Sequence, residues 1–306
     1  MKLKISISLL VFLIIFFQSC SLNKIAANQT ASIIIKAMPA FERETDLELA
    51  EQAIAGNLKL LEGLLETTPK NPELLLVTSS SFAQYAFGFI ECQIDKANFE
   101  NDYVEKEKQI ARAVNFYNRS KQYALRLILK SHRNFAVVLK LSLDKFSEEL
   151  QHFNQSDTSA LFWMAYAWGS IINLEQNKPE HLSDLPKVEL MMRRVMQLNE
   201  NFYFDGPHLF LGAYYGNRPK MVGGDADKAK ENFSKAIQHS EGKYLIAKFL
   251  TAKYYYLPTQ NRQLFESTLK EILSAPSDIF PELSLANQIA KRNAALWLEH
   301  IDELFY

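Results

Sequence analysis

Turn-forming residues are scarce in this chain. Its 10 glycines and 10 prolines among 306 residues fall well below the roughly 12% of average usage, which excludes collagen-like and loop-rich architectures and favours long helices with few tight turns. Cysteine is scarcer still, with Cys20 and Cys92 alone, so a disulfide-stapled scaffold is excluded. Neither charge dominates: 34 Lys and Arg face 35 Asp and Glu, for a formal net charge of −1. Without a basic block to neutralise phosphates, nucleic acid is not an expected partner. Mechanism-bearing motifs are missing too. There is no G-x-S-x-G, H-E-x-x-H, P-loop, G-x-G-x-x-G or C-x-x-C, and the six histidines are scattered without a pair at metal-ligand spacing. Asp225-Ala226-Asp227 begins like a calcium loop but lacks the required glycine and terminal Glu. Gly223-Gly224 reads better as a turn, with Asp225 capping the next helix. No enzyme is expected, and no catalytic residue, metal or cofactor.

What is present begins at the N-terminus. Lys2 and Lys4 precede an apolar run from Ile5 to Phe17 that ends at Gln18-Ser19-Cys20, the pattern of a secretory signal peptide over residues 1–19. The run is short of the roughly 20 apolar residues that span a bilayer, and no later stretch approaches that length. A small residue before a cysteine resembles the lipobox of bacterial lipoproteins, which predicts acylation of Cys20, although Phe17 and Gln18 depart from the usual leucine and small residue. A plain signal peptide cut nearby is the alternative. Several acyl chains, at about 0.8 kcal/mol per buried methylene, hold a protein to a membrane stably. Ser21 is not the aspartate associated with inner-membrane retention, so an outer-membrane anchor facing the periplasm is preferred. Cys92 then has no partner. It sits at an apolar helix end without a flanking His or Lys, which predicts a buried, inert thiol.

After a lipidated tether over residues 20–31, one helical body is expected over 32–306. Asn71-Pro72 reads as an N-cap followed by proline at the first helical position. It opens an apolar run from Leu74 to Ile90 that is too continuous for an exposed helix. Further starts are predicted at Asp102 or Tyr103, at Asp157 or Thr158, and at Asp184 with Pro186, with a last helix from about Leu283 to Leu304. The segment Ala160–Ile172 is apolar on every face, so it must be enclosed or line a cavity. Leu211, Gly212 and Tyr215, then Ala229, Phe233 and Ala236, follow the order of a tetratricopeptide helix pair, with the turn between them lengthened. Weaker copies fall around Leu60–Pro69 and over Ala252–Pro276. The fold class is therefore all-α, an array of helical hairpins with degenerate tetratricopeptide-like repeats, whose stacking leaves concave surfaces and grooves.

Aromatic residues crowd the stretch from 163 to 256. For any single ring, plain core is the commoner explanation. The cluster as a whole suggests an apolar pocket with a few polar lining groups, because buried Tyr and Trp need partners for their polar atoms. On this reading Trp163, Tyr166 and Trp168, together with Phe210, Tyr214 and Tyr215, are the lining candidates. Asn173 and Arg218 supply polar groups, with Asn217 beside them.

Four segments carry a family resemblance: Phe162-Trp163-x-Ala165-Tyr166-Ala167-Trp168-Gly169, Gly206-Pro207-His208-x-Phe210-Leu211-Gly212-x-Tyr214-Tyr215, Arg218-Pro219-Lys220-Met221-x-Gly223-Gly224-Asp225, and Leu285-Ala286-Asn287-x-Ile289-Ala290-Lys291-Arg292 with Ile301-Asp302-Glu303-Leu304-Phe305. In this ordered succession the chain resembles the T-component proteins of tripartite ATP-independent periplasmic (TRAP) transporters. The resemblance implies a helical lipoprotein that self-associates as a homotrimer, with a pore or cleft through each subunit. It also implies a periplasmic substrate-binding component as partner and a small, hydrophobic ligand. A generic tetratricopeptide-like envelope scaffold, its aromatics serving only as core, is the competing expectation; an enzyme of an unrecognised class ranks below both.

Overall fold

The computed structural model describes residues 2–176 and 178–305, and the side chains of all of these except residues 2–21, 179 and 180. Cys20, the predicted lipidation site, thus has its side chain outside the described residues. Every regular element among the described residues is helical. In chain order they are α1 (Lys2–Glu42), α2 (Leu47–Thr67), α3 (Pro72–Tyr85), α4 (Glu91–Phe99), α5 (Tyr103–Ile128), α6 (Phe135–Val138), α7 (Leu143–Leu150), α8 (Thr158–Leu174), α9 (Pro179–Leu182), α10 (Leu185–Leu198), α11 (Phe202–Gly216), α12 (Ala226–His239), α13 (Leu245–Thr251), α14 (Arg262–Ser274), α15 (Ser284–Glu299) and α16 (Ile301–Leu304). Two π-helical turns, Ala86–Ile90 and Ala252–Tyr256, fuse α3 to α4 and extend α13. Among the described residues no helix is long and apolar enough to cross a membrane.

Local chemistry sets several boundaries. Asn71 accepts the Leu74 amide at 3.0 Å with Pro72 at the first helical position, and Asp102 and Asp225 accept the Glu105 and Lys228 amides at 2.9 and 3.1 Å. The starts at Asp157 and Asp184 fall where expected, but neither side chain caps its helix. Asp157 instead accepts the Asn154 amide at 2.9 Å and faces His132 Nε2 at 3.1 Å. The expected last helix is two, α15 and α16, divided at His300, whose ring stacks on Phe99 at 4.4 Å.

Neighbouring helices in sequence pack side by side. In the pair α11–α12, Gly212 faces the Phe233 ring while Gly216 lies beside Ala229, so the two run antiparallel. Ala229, Phe233 and Ala236 are buried as the helix-pair pattern expects. Likewise α3 runs antiparallel to α5, joined by Ser79 to Ser120 and Phe82 to Phe116, and α5 packs on α8, joined by Tyr117 to Tyr166. One contiguous hydrophobic core extends from Ala50 to Trp297. A second, smaller cluster receives α1: Ala31, with Ile34, Ile35 and Met38, packs on Leu61, Leu65, Leu74 and Leu75. The stretch expected as a featureless tether is helical over Asn23–Ala31, with Ala27 and Ala31 buried and Asn28 accepting from Asn71 at 2.8 Å. Its small alanines carry the packing, which a search for large apolar residues overlooks.

Candidate functional site

Helix α8 is enclosed on all sides, as its composition demands. One side meets α5 and α10. The other borders a cavity of about 200 Å³, walled by α1, α2, α3, the start of α4, α8, α11, α13, α15 and both π turns. From Phe162 to Asn173 the cavity follows α8 for about 16 Å at the helical rise. Trp163, Tyr166, Ser170 and Asn173 form the α8 wall; Tyr203, Phe210, Tyr214 and Arg218 stand opposite. Close approach is possible because of glycine. A Cβ at Gly169 would overlap the Phe210 ring, and one at Gly206 would overlap the Phe162 ring.

Six of the eight sequence candidates thus meet around one space: Trp163, Tyr166, Asn173, Phe210, Tyr214 and Arg218. Trp168 and Tyr215 do not. Trp168 faces the opposite side of α8, beneath the Lys121 ammonium at 5.4 Å. The Tyr215 hydroxyl donates to Glu189 at 2.6 Å and accepts from Arg193 at 2.6 Å. Its ring borders an outer polar cleft with Lys220, Asp225, Asp227 and Thr259. Asn217 donates to Asn173 and holds that side chain in place.

The wall also holds groups that the sequence did not mark, among them Glu91, Gln84, Ser81 and Glu42. Glu91 is enclosed by protein, yet it retains accessible surface that faces the cavity. Burial pushes its carboxyl up to about 7, against the opposing pull of the Lys253 ammonium and a 2.5 Å hydrogen bond donated by Tyr117. Burial also raises the phenols of Tyr166 and Tyr203 well above their usual range, and that of Tyr254 to about 12. Near pH 7 the cavity therefore presents uncharged phenols and, in Glu91, a carboxyl divided between its protonated and charged forms, beside the Arg218 guanidinium. An ionisable residue directly after the apolar run Leu74–Ile90 was the one available signal for Glu91.

Both π turns serve this wall, the first through Phe87 and Phe89, the second through Tyr254. An extra residue in one turn rotates the helix beyond it, a device common at functional sites. Behind them Lys253 pairs with Asp95 at 2.7 Å, and the Trp297 indole donates to Asp95 at 3.0 Å, tying α4, the second π turn and α15 together. The first turn of α11 is left-handed at Tyr203, Phe204 and Asp205, with φ of 48°, 54° and 61°. Such a conformation costs a non-glycine residue roughly 1–2 kcal/mol. It is held by Asp205, whose carboxylate meets His239 Nδ1 at 2.7 Å, and it turns the Tyr203 ring onto Trp163 at 4.9 Å.

Among the described residues no group of three or more His, Cys, Asp or Glu is placed to hold a metal ion. Cys92 is buried, and burial pushes its thiol up, away from reactivity. No curated protein sequence matches the chain. The family model described as TRAP transporter T-component matches residues 43–305, which takes in the helices from α2 onward and nearly all of the cavity wall. By that match over most of its length, the chain belongs to the TRAP transporter T-component family.

Proposed function

We propose that this chain is an exported lipoprotein, cleaved after residue 19 and acylated at Cys20, that works beside a periplasmic substrate-binding component and holds a small, largely apolar ligand in the α8–α11 cavity. Membership of the family gives an accessory role in TRAP transport. The observation that carries the ligand is the partly enclosed space itself, bounded mainly by rings whose polar atoms are uncharged and by Arg218 at one end. A close-packed interior leaves few voids larger than a water molecule, and small-molecule sites combine apolar walls with a few placed polar groups. Self-association as a homotrimer and an outer-membrane anchor complete this reading. It assigns no catalysis to the chain.

The test is co-purification of the full-length chain with a TRAP substrate-binding subunit from the same organism, followed by native mass spectrometry of whatever the cavity carries. A stable complex and a released small molecule are expected. Recovery of neither, with the fold intact, would overturn the proposal and leave an envelope scaffold whose aromatics are only core.

A further inference from the structure

Arg218 stands in the wall of the inner cavity and also in that of the outer cleft, as does Tyr254. Its guanidinium lies over the Tyr214 ring at 4.4 Å, and Nη1 donates to the Tyr214 carbonyl at 2.5 Å. Nε is buried without a hydrogen-bond acceptor. Among the described residues no carboxylate lies within ion-pairing distance of this guanidinium. The nearest acid acting on it, Glu189, is already committed to Arg193 at 2.8 Å and to the Tyr215 hydroxyl. Burial lowers the guanidinium from its usual range, yet an arginine stays charged in proteins. A cation held partly out of water, with an unmet donor and no carboxylate of its own, is an incomplete anion site, since a planar guanidinium matches a carboxylate in a two-point geometry.

The far end of the cavity has the opposite character. Glu42 closes it beside Tyr203 and Tyr244 and acts electrostatically on both phenols. A carboxylate placed there would face another carboxyl, whereas at Arg218 it would meet the free donor. Between the two ends the wall is mainly apolar and aromatic, with Trp163, Leu209, Phe210, Ile246 and Ile289, interrupted by Glu91, Gln84 and Ser170.

We infer that the ligand of this cavity is an amphipathic monocarboxylate, its carboxylate paired with Arg218 and its apolar chain lying along α8 toward Trp163 and Tyr203. This rests on the cavity being a ligand site at all. The outer cleft on the far side of Arg218 and Tyr254 then gives the charged head a polar approach, with Lys220 on its rim.

The experiment compares decanoate, decan-1-ol and decylamine on the full-length chain in amphipol, by equilibrium titration, for the native protein and for Arg218→Gln and Arg218→Lys. Native protein should bind decanoate more tightly than the alcohol, and decylamine least. Arg218→Gln should lose about tenfold or more in decanoate affinity, the scale of a charge-assisted hydrogen bond, while its affinity for the alcohol falls by much less. Arg218→Lys should recover part of the loss. Alcohol binding that survives the substitution also shows that the variant has folded. Equal decanoate affinity in native protein and Arg218→Gln, or preference for the amine, overturns the carboxylate assignment and leaves the cavity reading standing. If none of the three probes binds the native protein, the cavity reading falls, and this inference with it.

Discussion

Glu91 shows how a single side chain makes the cavity measurable. Its carboxyl moves from 4.5 to about 7 because burial disfavours the charge. The folded chain therefore keeps this proton over a pH range in which the unfolded chain has released it. The associated stability is fully present below about pH 4.5, is lost as pH rises through 7, and is flat above. Glu91→Gln removes the titration and keeps an acceptor for Tyr117. The difference in unfolding free energy between the two proteins, measured by urea denaturation, should therefore shift by on the order of 2–3 kcal/mol between pH 4.5 and 8. A difference that stays constant across that window would mean the carboxyl is hydrated. Six of the eight residues that the sequence singled out stand in the wall, and the two that stand elsewhere do so for a geometric reason. Trp163, Tyr166, Ser170 and Asn173 fall on one stripe of a helix, whereas Trp168 lies about 140° from Trp163 at 100° per residue. Tyr215 lies the same distance from Phe210. Residue type suggested both; helical phase excludes both.

At the scale of elements, legibility follows the range of the interaction. Asn71, Asp102 and Asp225 bond to amides three residues on, so sequence alone locates those caps. Asp157 turns back to the Asn154 amide, completing a capping box on the short turn before α8, and meets His132 from another part of the chain, so it caps that turn and not α8. The π turns are hidden for a related reason. Ala86-Phe87-Gly88-Phe89-Ile90 looks like ordinary apolar helix, and the extra residue in the turn is stabilised by tertiary contacts. Arg292, from α15, donates to the Gly88 carbonyl at 2.5 Å and lies over the Phe89 ring at 5.9 Å. The second π turn relies on close backbone approach, since any Cβ at Gly216 would run into the Tyr254 carbonyl. Arg292→Met keeps the length of the side chain and removes its donors. The loss of one charge-assisted bond to a buried carbonyl should cost about 1–3 kcal/mol, and amide hydrogen exchange should accelerate first over residues 86–90. Uniform acceleration across α3 and α5 would show that the turn is stable without the arginine.

Across the whole molecule, α1 stands apart. It precedes the residues that match the family, 43–305, yet contributes Met38, Phe41 and Glu42 to one end of the cavity. It does not share the main core; buried Ala31 and half-buried Ile34, Ile35 and Met38 fall at helical spacing on a separate cluster of leucines from α2 and α3. A segment with its own small cluster can open without disrupting the larger one, because local opening costs only the contacts it breaks. If residue 20 carries the membrane anchor, the helix that leads from it is also the helix that shuts the cavity, so anchoring and ligand access act on one element. Ala31, only 1% exposed, is the point at which to separate them. Ala31→Glu places an unpaired carboxylate among Leu61, Leu65 and Leu74, and the cheapest response is release of α1. Hydrogen exchange should then show lost protection over residues 32–42 with α5 and α8 still protected, and the dissociation rate of a bound amphiphile should rise. If α5 and α8 lost protection in step with α1, the two clusters would be a single cooperative unit, and α1 would be a fixed wall of the cavity and not its door.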